Sequence, residues 1–215
     1  MTCRHFAAIS TVSAPMPGPI SSTPVGVPTI VRTGQLGDVI TSELHGRYYE
    51  QCYRRNIFSA ANQTAIATTV GLATTYTGLV LSNPVGSSVN LVLLKAAAAF
   101  PVAVAAGTVV GLMLGYNAGT NVTHTAAVTP RSNFFGVGAA PIGLVDSSAT
   151  MPTAPFVQKV MGTIGTATIS TAPGIGEDLE GSIILPPGAY AAFYTSAASG
   201  ALGFMGSFKW EEVPV

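Results

Sequence analysis

The sequence predicts an all-β protein with antiparallel sheets, either a sandwich or a barrel, and two observations carry this prediction. Short apolar segments that alternate with a period of two residues recur along the chain, and turn-forming residues separate them. Only 8% of the 215 residues are charged, whereas an ordinary soluble domain has roughly 25%. A helical bundle needs far more Glu, Lys and Arg on its outer faces, so the composition excludes that class.

The charge balance also excludes several functions. Nine basic and nine acidic side chains give a formal net charge of zero, so the chain has no bulk attraction for nucleic acid or for an anionic membrane. A hydrophobic content of 48% at zero net charge is not the composition of a disordered protein. A folded domain that self-associates is the class that remains, because low charge promotes association.

Residues 1–36 are predicted to form an extended arm. Five prolines in this segment exclude a regular helix: Pro15, Pro17, Pro19, Pro24 and Pro28. Apolar residues, among them Ile30 and Val31, would not be needed in a plain linker. They favour an arm that becomes ordered against a neighbouring chain, and a mobile tail is the alternative.

Residues 37–55 are predicted to contain a short helix. They hold six of the eighteen Asp, Glu, Lys and Arg residues of the chain. Leu44, Tyr48 and Cys52 recur every four residues, as on one helical face, and Asp38 could cap the helix. Cys52 and Cys3 are the only cysteines, and we expect two free thiols.

Residues 56–215 are predicted to form the β-sandwich domain. Alternation predicts strands over residues 66–72, 77–81 and 88–97, and turns follow at 83–86 and 186–188. In the last strand, large apolar residues on one parity predict a buried face: Leu202, Phe204, Phe208 and Trp210. Trp210 is expected in the core, and a sugar-stacking platform is the alternative.

The uncharged run from Ala96 to Tyr116 has the length of a membrane-spanning helix. Pro101 interrupts it, and Val110, Leu112 and Leu114 share one parity, which is the period of a strand. We therefore expect two buried strands joined near residues 101–107 rather than a membrane span.

Residues 56–176 contain only four charged side chains. Either Thr, Ser and Asn form the solvated faces of the sheets, or partner subunits cover those faces.

Motifs for catalysis, cofactor binding or metal binding are not evident. The three histidines, His5, His45 and His124, are far apart, and no zinc spacing or nucleophile motif occurs. Glu177, Asp178 and Glu180 form an acidic cluster that we interpret as an exposed loop, with weak Ca²⁺ binding as the alternative. We expect a non-enzymatic protein without a cofactor or a metal.

One segment is rich in the residue types that protein interfaces prefer: Arg47, Tyr48, Tyr49, Tyr53, Arg54 and Arg55. We predict a subunit or capsid contact there, with the apolar arm residues Ile30 and Val31 as further contacts. A surface helix packed by its own tyrosines is one alternative. Nucleic-acid binding is a weaker one, because Glu43 and Glu50 dilute the basic charge.

Residues 36–215 resemble structural proteins of tailed bacteriophages. The resemblance rests on three strings: ELHGRYYEQCYRRNIFSA, GLVLSNPVGSSVNLVLLKA and the C-terminal ILPPGAYAAFYTSAASGALGFMGSFKWEEVPV. It implies a jelly-roll-like β-sandwich that forms a homotrimer on the virion, which assembles in the host cytoplasm. The implied role is head decoration or cement, with the major capsid protein or other virion proteins as partners and the N-terminal arm as a clamp. A tail or baseplate part, or a receptor- or glycan-binding module, is the alternative.

Overall fold

A computed structural model describes residues 46–136, 138–166 and 174–215 of the chain. These residues form one short helix followed by eleven strands. In chain order the elements are α1 (Tyr49–Tyr53), β1 (Ile57–Ala61), β2 (Thr75–Ser82), β3 (Val89–Ala99), β4 (Thr108–Tyr116), β5 (Thr123–Val128), β6 (Arg131–Ser132), β7 (Leu144–Thr150), β8 (Phe156–Ile164), β9 (Ile175–Leu185), β10 (Ala189–Thr195) and β11 (Met205–Pro214).

The strands form two antiparallel sheets that pack face to face. The five-stranded sheet has the order β6-β1-β11-β3-β9, and the six-stranded sheet has the order β5-β7-β2-β10-β4-β8. Consecutive strands of the chain mostly lie in opposite sheets. The predicted β-sandwich with one short helix is therefore confirmed.

The strand pairing is nested in the manner of a jelly roll. β1 pairs with β11, β2 with β10, β3 with β9 and β4 with β8, and successive pairs belong alternately to the two sheets. A long antiparallel hairpin wrapped around its own core gives this arrangement. The remaining strands, β5 to β7, are inserted between β4 and β8 and extend both sheets beyond β1 and β2.

A chain of aromatic rings fills the space between the sheets. Phe193 on β10 stacks on Phe208 on β11, with ring centroids 4.7 Å apart. Phe204 contacts Phe193 edge-on at 5.3 Å, and Phe58 lies 6.1 Å from Trp210. Trp210 is fully buried, which confirms its predicted place in the core and excludes the sugar-stacking platform.

A second apolar cluster lies on the outer face of the six-stranded sheet. It contains Tyr76, Val80, Met113, Val122, Ala149, Met151, Tyr190 and Ala192. The connection before β2 hydrogen-bonds to this sheet, since Gly71 N donates to Thr195 O at 2.9 Å and Leu72 N lies 3.4 Å from Met113 Sδ. The connection after β7 does the same, since Thr153 Oγ1 lies 2.9 Å from Tyr190 Oη. The chain itself therefore covers much of this face.

The strand predicted over residues 66–72 is wrong. Ile66 makes one isolated bridge to Phe204, and Leu72 has a positive φ of 70°. The Thr68 backbone N–H donates to Ser199 Oγ at 2.9 Å instead of to a sheet ladder. The short helix predicted within residues 37–55 occupies Tyr49–Tyr53, and the chain leaves it at Arg55 with φ 64°. Leu44, Asp38 and the arm 1–36 lie outside the described residues.

The uncharged run from Ala96 to Tyr116 contains the end of β3 and all of β4, as predicted. In the part of the chain that the structure describes, no helix is long and apolar enough to cross a membrane. Val110 and Leu112 face the core, whereas Gly111 and Gly115 have the opposite parity. On the glycine side of the strand there is no room for a larger side chain, because other groups lie directly over it. A methyl group at Gly115 would be 2.1 Å from Tyr190 Oη.

Replacing Gly115 with Ala should lower the free energy of unfolding by about 2 kcal/mol, because the added methyl group would overlap the buried Tyr190 side chain. Gly138→Ala is the matched control, since no atom lies within 4 Å of the position its methyl group would take. Urea denaturation of both variants checks the prediction. Equal stability of the two variants would contradict the packing described for β4.

Replacing Tyr76 with Phe should reduce the sensitivity of the fold to alkaline pH. Burial raises the pKa of Tyr76 above its ordinary value of 10.0. The unfolded chain therefore loses this proton above pH 10 while the folded chain keeps it, so the free energy of unfolding falls as the pH rises.

Between pH 8 and pH 11 the wild-type protein should lose about 1.4 kcal/mol more stability than Tyr76→Phe. The variant should be less stable at pH 8, because Tyr76 Oη donates a hydrogen bond to Phe193 O. Denaturation of both proteins at both pH values measures the two losses of stability. The other titrating groups are the same in both proteins, so their contributions cancel in the comparison. Equal losses in the two proteins would show that Tyr76 ionises in the folded state.

Candidate functional site

The segment that contains α1 lies beside the outer face of the five-stranded sheet. Arg47 Nη1 donates to Glu180 Oε1 on β9 at 2.6 Å. Two cations lie over the Tyr48 ring, with Arg47 Cζ at 5.5 Å and Lys209 Nζ on β11 at 5.7 Å from its centroid. Lys209 alternates along β11 with the core residues Phe208 and Trp210, so Tyr48 contacts the face opposite to the core.

Three aromatic rings form a stack along this surface. Tyr49 and Tyr53 stack with centroids 6.1 Å apart, and Phe134 stacks on Tyr53 at 5.9 Å. The Arg55 guanidinium lies 5.9 Å from the centroid of the Phe134 ring. Tyr49 and Tyr53 each keep 40% of their surface exposed, and the adjacent Phe135 is 86% exposed. We call this set of eight residues the aromatic–arginine surface: Arg47, Tyr48, Tyr49, Tyr53, Arg54, Arg55, Phe134 and Phe135.

Carboxylates neutralise two of the arginines on the aromatic–arginine surface. Arg54 pairs with Glu50 one helical turn earlier, with 3.7 Å between Nε and Oε2. The hydrogen bond from Arg47 to Glu180, together with the charge of Glu180, raises the pKa of Arg47 above its ordinary value. Both ion pairs are exposed, so each adds little to stability. The surface is consequently aromatic and nearly neutral rather than basic.

The structure thus brings together all six residues that the sequence analysis selected in this segment. Ile30 and Val31, the other two predicted contacts, lie outside the described residues. Sequence reasoning missed Glu180, Lys209, Phe134 and Phe135, which are distant in the chain. The adjacent phenylalanines in a segment rich in Pro, Gly and Ser were a signal that could have identified part of this surface.

The acidic cluster is not a loop, and that prediction was wrong. Glu177, Asp178 and Glu180 lie within β9, and each pairs with a different cation. Lys159 Nζ lies 2.5 Å from Glu177 Oε1, Lys95 Nζ lies 3.3 Å from Asp178 Oδ1, and Arg47 binds Glu180. Among the described residues, no group of three or more His, Cys, Asp or Glu side chains could hold a metal ion.

His124 on β5 and Asp146 on β7 form a pair that the sequence did not predict. His124 Nδ1 is hydrogen-bonded to Asp146 Oδ2. The Asp146 side chain is 1% exposed, and its Oδ1 has no hydrogen-bond partner among the described residues. The His124 side chain is 35% exposed, so the pair lies at the surface end of a buried carboxylate. A histidine oriented by a carboxylate can activate a nucleophile, but no described hydroxyl or thiol bonds to its other ring nitrogen.

Glu212 fixes the end of the last strand. This carboxylate is nearly buried and accepts hydrogen bonds from Ile142 N and Gly143 N at 2.9 Å and from Trp210 Nε1 at 3.2 Å. The contact ties the connection before β7 to β11. Cys52, in α1, is a free thiol whose pKa is raised by partial burial.

No match was found among protein-family models, curated proteins or solved structures.

Replacing His124 with Ala should destabilise the fold by about 2 kcal/mol, because it removes the hydrogen-bond partner of the buried Asp146 carboxylate. The double variant His124→Ala/Asp146→Asn should recover part of that loss, since the remaining amide is neutral. Urea denaturation of the wild type, both single variants and the double variant measures the coupling. Purely additive effects would contradict a direct interaction between the two side chains.

Proposed function

We propose that this chain is a non-enzymatic structural protein of a tailed-bacteriophage virion. Its proposed role is that of a head decoration or cement protein, which assembles as a homotrimer and contacts the major capsid protein. Buried apolar area across the subunit boundaries would tie neighbouring capsid subunits together. The function is mechanical, and it requires exposed side chains that bind other chains firmly.

The fold supports this proposal in a general way. Jelly rolls occur in viral capsid proteins, but they also occur in lectins and cupins. A fold therefore restricts the function without deciding it, and the decision depends on the residues at the surface. The resemblance of residues 36–215 to tailed-phage structural proteins favours the virion among these possibilities.

The aromatic–arginine surface is the observation that carries the proposal. Tyrosine and arginine are enriched in the anchors of protein interfaces, and large exposed aromatic side chains are costly to leave in water. Phe135 is 86% exposed, so most of its ring is available to a partner. The stack of Tyr49, Tyr53 and Phe134 gives the surface a fixed shape before a partner binds, which lowers the entropic cost of association.

The native mass of the purified protein in detergent-free buffer tests the oligomeric part of the proposal. We expect a discrete species of three times 21.8 kDa in light scattering or native mass spectrometry. The double variant Tyr53→Ser/Phe135→Ser should weaken the trimer at least tenfold, because it removes two exposed anchors.

Phe156→Ser is the matched control, since Phe156 is an exposed aromatic residue on β8, outside this surface. Its trimer should be as stable as that of the wild type. A monomeric wild type at micromolar concentration would contradict the homotrimer. If Phe156→Ser weakens the trimer and the double variant does not, the subunit contact lies outside the aromatic–arginine surface.

A further inference from the structure

A polar pocket of about 280 Å³ opens where the inserted strands extend the sandwich. Residues 62–66, which follow β1, contribute one part of its lining, and β5, the β5–β6 connection, β6 and β7 contribute the rest. Six of the lining side chains are large enough or polar enough to contact a ligand: Gln63, Thr64, Ile66, Thr129, Arg131 and Ser147. The β5–β6 connection crosses between the two sheets, because β5 belongs to the six-stranded sheet and β6 to the five-stranded sheet.

Among the described residues that line this pocket, Arg131 alone is charged. Within the described ranges, every other lysine and arginine either pairs with a carboxylate or lies over an aromatic ring. Arg131 has neither kind of partner among those residues. A guanidinium offers a planar fork of donors that matches a carboxylate, so the free cation of the pocket is suited to a carboxylate ligand.

The neutral groups of the pocket can recognise hydroxyl groups. Asn62 lines the pocket at 4% exposure, and its Oδ1 accepts a hydrogen bond from Gly206 N at 3.0 Å. Its amide nitrogen donates to no described residue. Gln63 Nε2 donates to Ala61 O at 3.1 Å, which leaves Gln63 Oε1 as an acceptor. The hydroxyls of Thr64 and Thr129 can donate and accept, as sugar hydroxyls do.

We propose that this pocket binds a monosaccharide that carries a carboxylate, of which a uronic acid is the simplest example. The Arg131 guanidinium holds the carboxylate, the amide and hydroxyl side chains bind the ring hydroxyls, and Ile66 packs against the C–H groups of the ring. The volume lies at the small end of ligand pockets, so the site takes one sugar ring. Binding here requires none of the exposed aromatic anchors, so it can persist in a protein that forms no trimer.

Saturation-transfer NMR on the full-length chain at pH 7 tests this proposal with three probes. Glucuronate combines a carboxylate with hydroxyls, glucose has the hydroxyls alone, and acetate has the carboxylate alone. We expect binding of glucuronate, with glucose and acetate at least tenfold weaker. Absence of glucuronate binding overturns the proposal. Equal binding of glucose or of acetate overturns the assignment to an acidic sugar.

Variants of Arg131 locate the binding. Arg131→Gln should weaken glucuronate binding at least tenfold, and Arg131→Lys should have a smaller effect because it keeps the charge but loses the fork. Lys95→Gln is the control, since Lys95 is an exposed cation outside both the pocket and the aromatic–arginine surface, and it should bind as the wild type does. The Arg131 side chain is exposed, so its replacement leaves the core intact. Unchanged glucuronate binding in Arg131→Gln overturns the proposal.

Discussion

The stack of Phe193 on Phe208 joins the two sheets within the core of the sandwich, and the packing of the sandwich depends on it. Phe193 lies on β10 and Phe208 on β11, each near the middle of its sheet. Phe204 and Phe100 extend the ring contacts toward one end of the core. Large rings on the inner faces hold the sheets at a fixed separation, which leaves the outer faces available for other contacts.

The low charge of the chain is explained in part by how the outer faces are used. The outer face of the six-stranded sheet is apolar because the chain's own connections cover it, with Tyr76 and Tyr190 among the buried residues. Charged residues are concentrated instead on the outer face of the five-stranded sheet, where Lys95 pairs with Asp178 and Lys209 faces Tyr48. Partner subunits are therefore not needed to explain the whole deficit.

Local sequence patterns were sufficient to predict much of the fold but little of the candidate sites. The turn after β2, the strands on either side of Pro101 and the burial of Trp210 follow from alternation and turn residues. Residues 66–72 alternate as a strand does, yet their hydrogen bonds go to side chains such as Ser199, which no local pattern reveals.

Contacts between side chains of distant elements could not be predicted from the sequence either. In β9 burial alternates along the whole strand, with Leu179, Ile183 and Leu185 on the buried side, but three carboxylates beside glycines made the sequence look like a loop. The His124–Asp146 pair and the pocket at Arg131 depend on how the inserted strands dock, which a single sequence does not encode in any local signal.

Nested pairing has a consequence for the way the protein is made. Strand β1 is synthesised long before its partner β11, and β11 lies in the middle of its sheet between β1 and β3. The five-stranded sheet therefore cannot close until β11 has been made. Its apolar strands keep unpaired edges until the residues of β11 have left the ribosome. Chaperones have their greatest opportunity to act on this protein in that interval.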